Sequence, residues 1–263
     1  MTLPHFATAD DPGPSFSELL QRMTGDPPRI EGTLQDVVHG TTIVAVRTAD
    51  GVVLAGDRRA TAGNIVAHRT MDKVLPADFY SGVGIAGAAG PAMEMVRLFQ
   101  TELEHYEKVE GTPLSLEGKA NKLSQMVRQN LPAAFQGMAV VPVFAGYDER
   151  RGDGRLFSYD VTGGRYEETD FATAGSGGRD ARTVIKMGWR PGLATADAVS
   201  LVAEALYEAA DEDTATGGPD TVRGIYPRVA VVDREGFRFL DDAEVASSFD
   251  AIAAGRREQG SRG

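Results

Sequence analysis

From Thr41 onward the sequence changes character in blocks, and that order is what most constrains the fold. "TTIVAVRTADGVVLAGD" gives two β-rich runs joined by Ala49-Asp50-Gly51, the residues of a hairpin turn. "FYSGVGIAGAAG" is a further apolar strand built from small residues. Two helical stretches follow. "PAMEMVRLFQTELEHYEKV" carries Pro91 in its first turn and Val96, Phe99, Leu103 and Tyr106 at helical period. "SLEGKANKLSQMVRQNL" places Leu116, Ala120, Leu123 and Val127 on one face, and "EGTP" between the two stretches makes a helical hairpin. Strands return at "MAVVPVFAGYD" and "GRLFSYDVTG". A helix near 179–188 comes next, then a second in "TADAVSLVAEALYEAADED", with Thr195 as the expected cap and Asp197 in the first turn. "YPRVAVVD" and "GFRFLDD" read as a closing hairpin, and the polar end, from about 254 to 263, as a flexible tail. Strict βαβ alternation would give a doubly wound parallel sheet. Blocks of strands and paired helices instead predict an α+β fold: a four-layer αββα sandwich, two mostly antiparallel sheets between helix layers.

Residues 1–40 form a different kind of chain. "DDPGPS" and "TGDPPRIEG" read as loop. Between them Phe16, Leu19, Leu20 and Met23 fall on one face of a short helix, marginal by itself at about two turns. The segment has neither the basic nor the apolar region of a secretory signal. It ends at "HGTTIVAV", where a glycine and two threonines open the first strand.

Bulk chemistry narrows the function. The 263 residues carry a net charge of -11, which argues against nucleic acid as the main partner. There is no cysteine, so disulfides, thiolate metal sites and cysteine nucleophiles are excluded. His5, His39, His68 and His105 show no helical metal-pair spacing. No apolar run approaches the roughly 20 residues of a membrane span. No cofactor or metal is implied.

A threonine hydroxyl becomes a useful nucleophile when a base takes its proton, and one solution is the threonine's own α-amino group. An internal Thr41 has only a peptide nitrogen. Removal of residues 1–40 would create an amine with a pKa of about 8, neutral in part at physiological pH. By itself a threonine opening a strand is unremarkable, because threonine favours strands.

Ordered landmarks across the rest of the chain carry a resemblance. "GTTIVA", "GDRRAT" at 56–61, "MDKV" at 71–74, "GIAGAAG" at 84–90, "AGSGG" at 174–178 and "DEDTATGGPD" at 211–220 together resemble proteasome β-subunits, most closely those of actinobacteria. Those proteins are N-terminal nucleophile hydrolases with an αββα fold. The resemblance implies a threonine endopeptidase. Residues 1–40 would be a propeptide removed autocatalytically between Gly40 and Thr41, and 41–263 the mature catalytic domain. It puts Thr41 at the nucleophile, Asp57 and Lys73 at the acidic residue and lysine beside it, and Gly87 at the oxyanion hole. Ser176, Asp213 and Thr216 match the polar residues near the terminal amine, with threonine at 216 where serine is frequent. Without that resemblance, Asp57 and Lys73 would read as a surface ion pair, and Asp211, Glu212 and Asp213 as solvated acids. Ala60, Met71, Ile85, Ala89 and Met93, with Thr61 beside them, match the substrate pocket, whose apolar lining favours cleavage after apolar or aromatic residues.

The partners implied are proteasome α-subunits, other β-subunits in rings of seven within a four-ring barrel, and a hexameric ATPase acting through the α rings. Unfolded protein substrates, some tagged with a ubiquitin-like protein, complete the set, in the cytoplasm. Two alternatives stand beside this reading. An HslV-type peptidase shares the "TT" opening but is shorter and has no leader of this length. A non-catalytic ring subunit typically lacks the threonine or the lysine.

Overall fold

A computed structural model describes residues 40–63 and 65–260. The short helix expected around Phe16–Met23 lies outside them. Along the chain run β1 (Thr42–Arg47), β2 (Gly51–Gly56), β3 (Ala60–Ala62), β4 (Ile65–His68), β5 (Val74–Asp78) and β6 (Ser81–Gly87). The helices α1 (Ala89–Glu110), α2 (Leu116–Gln129) and the one-turn α3 (Leu131–Ala134) follow. Then come β7 (Val140–Asp148), β8 (Asp153–Tyr159), β9 (Arg165–Glu168), β10 (Phe171–Gly175), α4 (Gly178–Gly188), α5 (Thr195–Glu212), β11 (Arg228–Asp233), β12 (Gly236–Phe239) and α6 (Asp242–Gly260).

Two five-stranded sheets carry the fold, ordered β10-β1-β2-β11-β12 and β5-β6-β7-β8-β9, every pairing antiparallel. The hairpin read from Ala49-Asp50-Gly51 is present, its turn closed by Thr48 N donating to Gly51 O at 2.9 Å and Gly51 N to Thr48 Oγ1 at 3.0 Å.

The four layers follow from strands that are apolar on both faces. Alternate residues of a strand point to opposite sides of its sheet. Val44, Val46, Val53 and Ala55 pack with Val202, Leu206 and Ala209 of α5 and Ile185 of α4. Their neighbours Ile43, Ala45, Val52 and Leu54 pack with Val143, Ala145 and Leu156 of the second sheet. The far face of that second sheet sets Val83, Ile85, Phe144 and Phe157 against Phe99 and Leu103 of α1 and Leu123 and Val127 of α2. Gly84 lets the sheets close: a Cβ there would stand 2.4 Å from Ile43 Cγ2.

Three details depart from the sequence reading. Helix α5 begins with Thr195 already inside it. Ala194 is the N-cap, and Ala198 N reaches Ala194 O at 2.9 Å without help from a capping side chain. The chain end expected as a tail from about 254 is helical to Gly260, as part of α6. Val245 and Phe249 of α6 are buried against the α5 layer, with Ile252 half-buried beside them. Their i, i+4, i+7 spacing is an apolar stripe that hydrophilic neighbours conceal. The β3–β4 hairpin and β9 are too short to stand out from loop in the sequence.

Candidate active site

At one end of the sandwich the start of β1 meets the ends of β2 and β10 and the start of β5. Thr41 immediately precedes β1 and is buried, 3% exposed. Neighbouring strands hold it from both sides, with Thr42 opposite Gly175 of β10 and Ile43 opposite Gly56 of β2. Gly175 lies at φ 93°, and a Cβ there would stand 1.9 Å from Thr41 O. Only a glycine lets β10 run so close to the threonine.

Asp57 directly follows β2 and Lys73 directly precedes β5. Lys73 Nζ lies 2.8 Å from Asp57 Oδ1, and both side chains are buried. The bland expectation of a surface ion pair is therefore set aside. An ion pair withdrawn from water needs further hydrogen bonds to offset its lost hydration. Asp57 has them: Oδ1 accepts from Thr42 N at 2.8 Å, and Oδ2 from Arg59 N and Gly217 N, each at 2.9 Å. Burial pulls the Lys73 ammonium below the ordinary lysine pKa, and the Asp57 charge opposes that pull.

The proton on Lys73 has a second acceptor. Lys73 Nζ donates to Gly40 O at 2.9 Å, and Thr41 Oγ1 donates to the same oxygen at 2.7 Å. Lysine and threonine thus converge on the carbonyl of the Gly40–Thr41 peptide bond. Gly40 itself has no room to be anything else, since a Cβ there would stand 1.9 Å from the Ala215 Cβ. Its N–H faces Thr61, 3.4 Å from Oγ1.

A second polar group closes over the Thr41 nitrogen. Thr41 N donates to Ser176 Oγ at 3.2 Å, and Ser176 Oγ donates to Asp213 Oδ2 at 2.5 Å. Thr216 Oγ1 donates to the same carboxylate oxygen at 2.6 Å, and Ala215 N to Oδ1 at 3.1 Å. Partial burial works to raise the Asp213 pKa. The bonds from Ser176, Thr216 and Ala215, with the Lys73 charge, outweigh it and hold the carboxyl below its usual value. Asp213 is the C-cap of α5. Asp211 and Glu212 are exposed, so of the three acids only Asp213 turns inward.

The sequence of this constellation matches known proteins. The family model described as "Proteasome subunit" matches residues 37–224. A proteasome subunit beta of Acidimicrobium ferrooxidans is 60% identical over 265 residues, covering 100% of this chain and 97% of its own length. One of Streptomyces griseus is 58% identical over 232 residues, covering 88% of this chain and 82% of its own. One of Jonesia denitrificans is 52% identical over 253 residues, with 94% and 84% covered. The chain belongs to the proteasome β-subunit family. Members of that family are threonine endopeptidases.

Around the proteasome constellation lies a small recess lined by Gly40, Thr41, Ala60, Met71, Lys73, Ile85, Gly87, Ala89 and Ala92. Four expected pocket positions, Ala60, Met71, Ile85 and Ala89, border it, and Gly87 does too. Thr61 and Met93 do not; Met93 packs, half-buried, against the α1–α2 core, and its neighbour Ala92 takes the wall. On a helix one residue's shift turns a side chain by about 100°, which spacing from a motif does not resolve. Gly87 has φ 102°, and a Cβ there would stand 2.1 Å from Ala139 O, so the turn into α1 requires the glycine. A larger cleft of about 250 Å³ opens at the other end of β6, between Phe79, Pro113, Leu116 and Tyr147. None of Thr41, Asp57 or Lys73 borders it, so cavity size does not mark the chemistry.

Four residues the sequence did not single out complete the site: Thr42, Arg59, Ala215 and Gly217. Arg59 Nη1 donates to Thr214 O at 3.0 Å and to Thr216 O at 3.2 Å, pinning the loop that carries Gly217. Each lies inside a quoted motif beside a residue that was named, and that adjacency was the available signal.

Proposed function

We propose that the chain is the catalytic β-subunit of a proteasome and that Thr41 is its nucleophile, exposed by self-cleavage between Gly40 and Thr41. The observation that carries this reading is the meeting of Thr41 Oγ1 and Lys73 Nζ at Gly40 O. In the uncut chain Thr41 Oγ1 attacks the Gly40 carbonyl carbon. The new C–O bond forms as the C–N bond to Thr41 breaks, and the hydroxyl proton ends on the leaving nitrogen. Negative charge that develops on Gly40 O faces the Lys73 ammonium. Water then hydrolyses the ester, which regenerates the hydroxyl and leaves a free Thr41 amine.

In the mature subunit that amine takes the Thr41 hydroxyl proton while Oγ1 attacks a substrate carbonyl. The proton passes to the departing amine, an acyl-enzyme remains, and water releases it. Lys73 stabilises the developing negative charge, Asp57 keeps Lys73 charged and oriented, and Ser176, Asp213 and Thr216 orient the amine. Gly87 supplies close backbone approach for the oxyanion. The recess favours apolar or aromatic side chains before the scissile bond.

Assembly with α-subunits and further β-subunits belongs to a proteasome subunit. The finer reading adds seven-membered rings, a hexameric ATPase feeding substrates, a ubiquitin-like tag on some of them, and a cytoplasmic setting. No helix among the described residues is long and apolar enough to cross a membrane. Residues 1–40 keep the Thr41 nitrogen acylated until assembly. Mass spectrometry of wild-type and Thr41→Ala protein, each assembled with α-subunits, tests the reading. A wild-type chain beginning at Thr41 and a variant that keeps all forty residues are expected. Efficient cleavage of the variant in a protease-free reconstitution would remove Thr41 from the reaction.

A further inference from the structure

Thr42 is fully buried at the head of β1 and holds both halves of the site. Its backbone is clamped to Asp57, with Thr42 N donating to Oδ1 at 2.8 Å and Thr42 O accepting from Asp57 N at 3.1 Å. Its side chain turns the other way, where Thr42 Oγ1 lies 2.7 Å from Thr216 Oγ1.

The direction of that last bond follows from counting protons. A hydroxyl has one proton to give. Thr216 gives its proton to Asp213 Oδ2, so toward Thr42 it can only accept, and Thr42 is the donor. Ser176 also gives its proton to Asp213, so toward the Thr41 nitrogen it can only accept. A chain of oriented hydroxyls thus runs from Thr42 through Thr216 to Asp213, where the Ser176 hydroxyl also terminates. Space is reserved for it: a Cβ on Gly177 would stand 2.3 Å from Thr42 Oγ1 and 2.8 Å from Thr216 Oγ1.

We propose that Thr42 is a positioning residue for the Thr41 amine, acting through Thr216 and Asp213. The inference rests on Thr41 being the nucleophile. With the relay complete, Asp213 is held as a carboxylate and commits Ser176 to presenting a lone pair. The amine then donates an N–H to Ser176 and keeps its own lone pair for the Thr41 hydroxyl. Without the Thr42 hydroxyl, the buried Thr216 oxygen loses its donor, and the bond it makes to Asp213 weakens with it. A carboxylate with one firm donor fewer binds protons more tightly and holds the neighbouring Thr41 ammonium more tightly too. The amine then becomes a free base at higher pH.

The test uses assembled particles of wild type, T42V, T42S, T216V, the T42V/T216V double variant and T41A. N-terminal mass is checked before assay with a fluorogenic peptide across pH. T42V keeps the shape of threonine and loses only the hydroxyl. It is expected to lower kcat about tenfold with KM unchanged. The acid limb of its kcat profile should move to higher pH. T42S restores both, and the double variant is no worse than T216V alone, because Thr42 acts through Thr216. Wild-type kcat and an unmoved limb in processed T42V overturn the proposal. So does additivity in the double variant, which would mean a role independent of Thr216. Should T42V not assemble, Gly177→Ala crowds both hydroxyls from outside β1 and takes its place, with the same expected shift and the same overturning result. T41A separates the two levels. Activity in T41A defeats the nucleophile reading itself, whereas an inactive T41A beside a wild-type-like T42V defeats this inference alone.

Discussion

Lys73 Nζ and the carbonyl oxygen of Gly40 lie 2.9 Å apart, within a site where Lys73 is also ion-paired to Asp57 at 2.8 Å. In the uncut chain the cation therefore already sits on the oxygen of the bond proposed to break. The sequence reading placed Lys73 beside the threonine; the contact found is with the carbonyl that the threonine faces.

Lys73→Ala removes the cation and leaves Asp57 buried among backbone donors. Peptidase activity should fall by on the order of 100- to 1000-fold, and residues 1–40 should stay attached. Fluorogenic-peptide turnover and intact mass measure the two effects. Substantial turnover would reduce Lys73 to a structural partner of Asp57.

Gly40→Ala should block processing for a steric reason specific to this site. The added methyl would stand 1.9 Å from the Ala215 Cβ and 2.5 Å from the Ala215 carbonyl oxygen, and push the Gly40 carbonyl off Thr41 and Lys73. Ala215→Gly in the same chain removes only the first contact and leaves the backbone oxygen in place, so it should not restore cleavage. Efficient processing of Gly40→Ala would show that the obstruction does not govern the reaction. The readout is the fraction of chain beginning at Thr41 over time.

The alkaline side of the pH–rate profile should follow Lys73. Its pKa is lowered from the ordinary 10.5, first by burial, while the Asp57 charge pulls it back up. As pH rises, Lys73 loses its proton earlier than a solvated lysine, and kcat/KM should decline below pH 10.5. Asp57→Asn removes the opposing charge, so the Lys73 pKa falls further and the alkaline limb moves to lower pH. An unmoved limb in Asp57→Asn would assign that titration to another group.

Away from the site, Arg155 is 3% exposed. It forks onto Glu167 with two bonds of 2.7 Å and reaches Glu117 at 2.9 Å and Asp148 at 3.1 Å. These acids come from β9, α2 and β7, so one guanidinium ties three elements of the second sheet and its helix layer. Arg155→Leu leaves Glu117 with Arg165 alone, and Glu167 and Asp148 with only the distant, exposed Arg151, and should cost about 3 kcal/mol. That is the low end for a buried charge, because Glu117 and Glu167 retain part of their hydration. Urea unfolding gives the number, and a loss below about 1 kcal/mol would class the network with ordinary surface pairs.

The fold was legible where periodicity and turn chemistry agreed, as in the β1–β2 hairpin and the faces of α1 and α2. It was not legible in α6, where Val245, Phe249 and Ile252 are separated by small and polar residues and the stripe is narrow. For the site, the residue types were visible but their convergence was not. Asp57 and Lys73 stand sixteen positions apart in a chain with many acids and bases. Only the pairing of β1 with β2, and the meeting of the two sheets, brings them together beside Thr41. Thr42 escaped notice because burial and a partner at Thr216, far along the chain, give it its role. Met93 and Ala92 show how close the motif comes: the expected turn of α1 reaches the recess, through Ala92 and not through Met93.

β1 is not an edge strand. It is hydrogen-bonded to β10 along one side and to β2 along the other, from the residue after Thr41 onward. Severing the chain at Gly40–Thr41 therefore produces an end with almost no freedom left to lose. Under the proposed cleavage the new amine would arise in its working position, with the entropy of placing it met when the sheet formed. Maturation of this kind needs no refolding and no search. Its rate should be set by bond chemistry and by the arrival of partner subunits, and its product should be as rigid as its precursor.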